Sequence, residues 1–452
     1  MKNTAVFVLI LFVLSCCTPK EKQGNETEKN LVSEMKHVLD SLMIDVWYPR
    51  VIDATNGGYF SDFTYDWELG EPQNKFIVTQ ARHVWATSFL YENYEEKEEY
   101  LRYAGHGFHF LRDHMWDKEF GGFYDLTDST GNLLPRSIGA DKRAYGNSFA
   151  IYALAQYYKV SKNEEALELA KKTFLWLEEN SHDPVNGGYF QILDRTGKPI
   201  VREEAAKYAG YENFQVGLKD YNSSIHLLEA FTTLYQVWPD ELVRQRLQEM
   251  YDIVSGVMLD DRGFLKLYFH PDWTQVTDEE LHGFSREGNS PTNHITFGHD
   301  VETAFLLYEA AGALHIIDNE LFQKMKKMVD HAIQHGWDKK YGGLFDGGKY
   351  VDGEVAIIND HKQWWAQAEA LNAFLLMHRI FPDDTIYMQK FEEQWAYVNE
   401  YLIDHEHGGW YIYGLDVGHQ FSESNKVSIW KGSYHTVRAM VHCLEMLGEG
   451  RE

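Results

Sequence analysis

Asn186-Gly187-Gly188-Tyr189-Phe190 is a glycine pair followed by two aromatic residues, and variants of it return along the chain. The other copies are Asn56-Gly57-Gly58-Tyr59-Phe60, Phe120-Gly121-Gly122-Phe123-Tyr124, Arg262-Gly263-Phe264-Leu265, Tyr341-Gly342-Gly343-Leu344-Phe345 and His407-Gly408-Gly409-Trp410-Tyr411. An Asp usually stands nearby, as in Trp116-Asp117, His182-Asp183 and Trp337-Asp338. Their first glycines, at 57, 121, 187, 263, 342 and 408, are 64, 66, 76, 79 and 66 residues apart. Paired glycines permit the backbone angles of a tight β-turn, so each copy reads as a short hairpin. The period leaves room for two helices per unit, and such units bury their apolar faces only against one another.

The stretches after the hairpins, such as 149–158, 226–235, 303–313, 368–378 and 437–447, are apolar nearly all round, which marks buried helices. Those before the hairpins, such as 164–180 and 321–335, carry charge on one side, with Lys171, Lys172, Glu178 and Glu179 on a wet face. Six pairs of an outer amphipathic and an inner buried helix predict an all-α fold, an (α/α)6 barrel with short β-hairpins on one rim. The hairpins precede the inner helices, so that rim also gathers the inner-helix N-termini. Their free N–H groups and partial positive charge suit oxygen-rich or transiently anionic ligands.

With 452 residues, 44% of them hydrophobic, the chain can bury a large core. Its formal charge of −27 repels phosphate backbones, so nucleic acid and acidic polymers are not expected partners, while neutral sugars are unaffected. The 13 Trp, 28 Tyr and 26 Phe supply stacking platforms for sugar rings as well as core. At the N-terminus Lys2 precedes an apolar run at 5–14, too short to span a bilayer. Val13-Leu14-Ser15-Cys16 then resembles a bacterial lipobox, with Cys16 as the lipidated residue. The expected layout is a lipoprotein signal peptide at 1–15, a lipid-anchored flexible tether at 16–30 and one barrel domain at 31–452. Membrane attachment would be through the lipid alone, on the periplasmic side or at the cell surface. Only Cys443 lies in the body of the chain, so no disulfide framework is expected; among Met440, Leu444 and Leu447 it reads as a core thiol.

Polar residues at the starts of the inner helices are the candidate site. Asn222 and His226 are four apart and share a helix face; His299 and Glu302 are three apart and do the same; Trp365 and Glu369 repeat the pattern. Trp430, His435 and Arg438 come from the sixth unit, Arg82 from the first and Tyr145 from the second. His226, His299 and His435 are read as occupying equivalent places in the repeat. Imidazole titrates near neutrality and suits removal and return of a proton within one turnover. Glu302, one turn from His299, is placed to fix its tautomer. Three His and a Glu could also hold a metal, but no short ligand spacing such as HExxH is present, and none is expected. G-x-S-x-G and P-loop patterns are absent.

Phe297-Gly298-His299-Asp300-Val301-Glu302, Trp364-Trp365-Ala366-Gln367-Ala368-Glu369-Ala370 and Trp430-Lys431-Gly432-Ser433-Tyr434-His435 resemble, in this order, segments of the N-acylglucosamine 2-epimerase superfamily. Within it the likeness is greatest to the cellobiose 2-epimerases, over roughly residues 33–447. The resemblance implies an (α/α)6 barrel, His299 and His435 as the acid/base pair, and Glu302 in support of His299. It also implies Arg82 and His226 on the open-chain sugar oxygens, Trp365 and Trp430 stacked on sugar rings, and Tyr145 more loosely in the site. Where the family often writes Asn-Thr-His-Leu-His, this chain has Asn222-Ser223-Ser224-Ile225-His226. The loop 272–296 before His299 is longer than usual for the family.

The implied reaction inverts C2 of the reducing-end aldose of a neutral, β-1,4-linked disaccharide through a cis-enediolate, with no cofactor. Three other readings are kept. One is an aldose–ketose isomerase on monosaccharides such as mannose, and another is a glycoside hydrolase using two of Glu302, Glu369 and Asp300. The third is a non-catalytic sugar-binding lipoprotein.

Overall fold

The computed structural model describes residues 26–136, 139, 141–201, 216–277, 280 and 294–449. The reversals form as the glycine pairs require. Gly187 and Gly188 take φ of 72° and 71°, and a Cβ on Gly188 would stand 2.4 Å from a ring carbon of Trp273. Antiparallel bridges close the reversals: His182 with Tyr189, and likewise Ile52 with Tyr59, Trp116 with Phe123, Leu259 with Leu265, Trp337 with Leu344 and Ile403 with Trp410.

Between the reversals the chain is helical. In order come α1 (Glu26–His37), a wider π-helical turn (Val38–Ile44), α2 (Asp45–Trp47), α3 (Ile77–Asn93), α4 (Glu98–Phe110), α5 (Ala144–Ser161) and α6 (Glu164–Asn180). Then follow α7 (Tyr221–Val237), α8 (Glu241–Asp252), α9 (Phe297–Leu314), α10 (Asn319–His331), α11 (Trp364–Ile380), α12 (Ile386–Tyr397) and α13 (Tyr434–Leu444). The odd-numbered helices from α3 to α13 are the inner ring, and the others surround it. The amphipathic pattern explains the division. α10 buries Leu321, Met325, Met328 and Val329, one stripe at helical spacing, and leaves Gln323 and Lys327 exposed. α11 buries every residue from Ala366 to Met377. Each fully buried Leu or Met contributes about 1.5–3 kcal/mol, so the ring is held mainly by this apolar contact. The ring closes where α13 packs on α3 and Phe63 bridges Val427. The architecture is the (α/α)6 barrel expected from the repeat.

Short strands stitch neighbouring units together just before four of the six inner helices. β1 (Lys75–Phe76) pairs with β2 (Leu126–Thr127), β3 (Lys142–Arg143) with β4 (Ile192–Leu193), and β5 (Lys219–Asp220) with β6 (Tyr268–Phe269). β7 (His294–Thr296) pairs with β8 (Gly347–Val351), which pairs with β9 (Glu354–Asn359).

A buried ion pair fastens five of the six reversals. Lys75 bonds Asp53 at 2.8 Å, Lys142 Asp117 at 3.0 Å, Lys219 Asp183 at 2.8 Å and Lys362 Asp338 at 2.7 Å, and Lys426 reaches Asp404. The first four lysines also donate to the carbonyl of the reversal's first glycine, Gly57, Gly121, Gly187 or Gly342. This is why an Asp recurs beside each glycine pair. Burial opposes both charges and lowers the lysines Lys75, Lys142 and Lys219. At Asp117 the backbone N–H groups and Lys142 outweigh burial and hold the carboxyl down at about 2.

α1 begins at Glu26, so the last five residues expected as tether start the first helix. The expected signal peptide and Cys16 lie outside the described residues. So does most of the loop 272–296, whose last three residues are β7. Cys443 is fully buried, and burial pushes its thiol up. No helix among the described residues is long and apolar enough to cross a membrane.

Candidate active site

The inner helices open onto the rim in layers. Tyr145, Asn222, Trp365 and His435 are each the second residue of their helix, and His299 is the third. Arg82, His226, Glu302 and Glu369 are each the sixth, one turn deeper. The three histidines are therefore not equivalent, as the repeat alone suggested: His299 and His435 stand in the upper layer and His226 in the lower.

A cavity of about 280 Å³ joins the layers, at the small end of the range of about 300–1,000 Å³ usual for small-molecule sites. Of the residues expected at the site, Arg82, Tyr145, Asn222, His226, His299, Glu302, Trp365, Trp430 and His435 line it. Glu369 sits directly behind His435. Larger grooves of about 420 and 680 Å³ on the outside of the barrel bring no histidine together. Trp430 is 47% exposed and meets Phe76 edge-on at 4.6 Å between centroids, forming a platform at the mouth.

The two upper histidines flank one indole. Trp365 lies 4.5 Å from His299 and 5.7 Å from His435, between ring centroids. Burial, then His226 and Arg82, hold His299 down at about 3. Burial with Arg82 and Arg438 holds His435 well below its ordinary value. Both rings are thus uncharged at neutral pH.

Beneath them Arg438, fully buried, gathers three carboxylates from three helices. Its Nη2 donates to Glu302 Oε1 and to Glu369 Oε1, each at 2.6 Å, and its Nη1 donates to Glu229 and Tyr434. Glu369 Oε1 also accepts from His435 Nδ1–H at 2.6 Å. That oxygen already takes a guanidinium proton, so it serves His435 as an acceptor and leaves Nε2 of His435 with its lone pair free. Burial and the charge of Glu302 push Glu369 up, against Arg438, to about 8. A proton on Glu369 belongs on Oε2, which has no partner, and leaves the bond to His435 intact. His226 Nδ1 is held by Glu229 at 2.9 Å. Burial disfavours the charge on Glu229, but Arg438 and His226 outweigh it and hold the carboxyl down at about 2.

Arg82 differs from Arg438. It is 6% exposed, lies over the rings of Phe149 and Tyr434 at 4.4 and 5.0 Å, and donates to Tyr145 Oη at 3.3 Å. Its Nε has no partner, and no carboxylate among the described residues pairs with it. It is a buried cation that meets the cavity with its charge unspent.

Two expected contacts fall elsewhere. Glu302 gives its carboxylate to Arg438, 3.8 Å from His435 Nδ1, rather than to His299. Glu369, expected against substrate, orients His435 instead. Ser224, where the family often has His, turns its hydroxyl back to the Asp220 carbonyl at 2.8 Å. Sequence reading missed Glu229, although it lies three residues from His226 in the spacing already used for His299 and Glu302. Tyr221, Gln363 and Trp364 were also missed. Glu302, Glu369 and His435 converge closely enough to hold a metal ion, but the guanidinium of Arg438 already occupies the space between the two carboxylates.

Such a pocket can move protons on a neutral, oxygen-rich ligand while a fixed cation holds developing negative charge. That chemistry on this barrel is the work of carbohydrate isomerases. The family model described as N-acylglucosamine 2-epimerase (GlcNAc 2-epimerase) matches residues 58–439, and the chain belongs to that family. A cellobiose 2-epimerase of Bacteroides fragilis is 29% identical over 422 residues, 93% of this chain and 99% of its own. A D-mannose isomerase of Marinomonas mediterranea is 26% identical, covering 89% and 94%. The structure of cellobiose 2-epimerase from Spirochaeta thermophila superimposes with a TM-score of 0.77 at 26% identity, covering 94% and 98%.

Proposed function

We propose that the protein is a sugar 2-epimerase that inverts C2 of the reducing-end aldose of a neutral, β-1,4-linked disaccharide. One observation carries the reading: two uncharged imidazoles flank a single indole in one cavity, with an unpaired guanidinium beside them. The open-chain aldehyde acidifies the C2 proton. His435 Nε2 takes that proton, the C2–H pair forms the C1–C2 double bond, and the carbonyl pair moves to O1. Arg82 and His226 hold the enediolate oxygens. Rotation about C2–C3 presents the opposite face, and His299 returns a proton to C2. In the reverse direction the two histidines exchange roles. The reacting sugar occupies the cavity and the second ring stacks on Trp430.

His299→Asn and His435→Asn are each expected to lower epimerisation at least about a hundredfold while the fold persists. NMR of cellobiose, mannobiose, glucose and mannose in D2O reads the reaction: deuterium enters C2 of the epimerised product. Near-full activity in either folded variant overturns the mechanism. The likeness to a D-mannose isomerase keeps one second reading, aldose–ketose isomerisation on the same histidines, and a ketose product in the same spectra identifies it.

The Lys2 start, the apolar run at 5–14 and Val13-Leu14-Ser15-Cys16 support a lipid anchor at Cys16 and work outside the cytoplasm. Labelling cells with an alkynyl fatty acid should tag the wild type and not Cys16→Ser. Equal labelling of both removes the anchor.

A further inference from the structure

The two histidines of the upper layer are held by different chemistry. His435 donates Nδ1–H to a carboxylate. No carboxylate reaches Nδ1 of His299 among the described residues; its partner is the hydroxyl of Tyr221, at 3.3 Å. Tyr221, the first residue of α7, is 8% exposed, and its ring meets the imidazole edge-on at 4.8 Å and 87°. With Trp365 against it as well, the ring of His299 is confined between two aromatic side chains.

Glu369 Oε1, already bonded by the Arg438 guanidinium, only accepts, so it keeps a proton on the imidazole nitrogen it touches; a phenol can donate and leave that nitrogen bare. Burial holds the Tyr221 phenol well above its ordinary value, so it keeps its proton at every working pH. That proton needs an acceptor, because a buried hydroxyl left without one is destabilising. The Thr296 side chain lies close enough to lower the phenol slightly, but its Oγ1 is within hydrogen-bond geometry of no group, so His299 Nδ1, at 3.3 Å, is the acceptor within reach. A neutral imidazole that accepts at Nδ1 carries its own proton on Nε2.

We propose that Tyr221 is a positioning residue that fixes His299 as the Nε2–H tautomer, so that the resting site holds one imidazole ready to give a proton and one, His435, ready to take it. Inversion at C2 needs such opposed partners, since two bare Nε2 atoms could remove a proton from either face but give none to the other. His299 gives Nε2–H to C2, and the imidazolate it becomes regains a proton from the imidazolium of His435, which restores both resting forms. The inference rests on the epimerase reading for its consequence, and on the local geometry alone for the tautomer. The titratable and charged groups facing His299 are His226, Arg82 and His294; none of them is a hydrogen-bond partner that would set its tautomer.

Nitrogen-15 NMR of histidine-labelled protein separates the two issues, because it reads which ring nitrogen is protonated without substrate. The His299 signals are the pair lost in His299→Asn. Protonation on Nε2 in the wild type, and loss of that preference in Tyr221→Phe, is the expected result. In the same variant kcat is expected to fall roughly tenfold with KM within about twofold, since a transition-state proton donor is lost and binding is not. A wild-type His299 protonated on Nδ1 overturns the proposal. So does a Tyr221→Phe variant that keeps the Nε2–H form. If Tyr221→Phe does not fold, the wild-type spectrum still decides. If no sugar reacts with the wild type, the epimerase reading fails while the tautomer assignment stands on its own spectrum.

Discussion

Five units of the barrel are fastened alike, and the fourth, which carries His299, is not. Where Lys75, Lys142, Lys219 and Lys362 stand two residues before their inner helices, the fourth unit has Ile295. Its Asp260 pairs instead with Arg262, exposed on the surface. A second difference lies four residues into the helix. Gln80, Asn147 and Gln367 offer an amide oxygen to a backbone N–H of their hairpin, each at 2.8 Å, and Gln80 and Gln367 return a donor to the carbonyl of the same residue. In the fourth unit the acceptor is Asp300 Oδ1, bonded to Leu265 N–H at 2.9 Å, while Oδ2 has no partner. Burial pushes this carboxyl well above its ordinary value, so it stays protonated and stands in for an amide. The repeat thus departs from its own fastening rules in a unit that carries one of the two upper-layer histidines, while the unit of the other, His435, keeps its ion pair.

The comparison breaks most sharply at a fastened unit. Lys219→Met leaves Asp183 buried and unpaired, and urea denaturation should show a loss of about 3–5 kcal/mol. Gln367→Glu imposes on the fifth unit the acid that the fourth tolerates, and it removes the donor to Leu344 O. A loss of about 2 kcal/mol is expected. Asp300→Asn makes the opposite exchange and should stabilise the fold at pH 7, because it removes the cost of keeping the buried acid protonated, with little change below the usual carboxylate range.

Its pH dependence carries the sign. Asp300 binds its proton in the folded state and releases it when unfolded, so its contribution is lost as pH rises above the usual carboxylate range, and Asp300→Asn should flatten that slope. Asp117, held at about 2, acts the other way: its contribution is present above its unfolded value and lost as pH falls toward 2. Thermal melts of both proteins across pH 2–8 read both slopes. Arg262→Ala, at the exposed pair of the fourth unit, should cost under about 1 kcal/mol. A cost equal to that of Lys219→Met would erase the distinction between the units.

The barrel was legible because its period is written in glycine pairs and in helices apolar all round, and both signals are local. The upper-layer residues were legible because polar groups at inner-helix starts stand out against core. What adjoining helices bring together was not legible. Glu302 shares a face with His299, yet its carboxylate is claimed by Arg438, 136 residues away in the chain and two inner helices on in the barrel. Two layers one turn apart look like one cluster in sequence, so His226, His299 and His435 read as equivalent. Four of the five fastening lysines stood in plain view, each two residues before an inner helix. An exposed lysine is so common that nothing local marks four of them as buried.

Arg438 gives the floor of the pocket a counter-ion that is part of the polypeptide. It cannot be washed out by dialysis, exchanged for a competing ion or captured by a chelator. The field around His435 and His226 is therefore set when the chain folds, whatever the ionic supply of the surroundings.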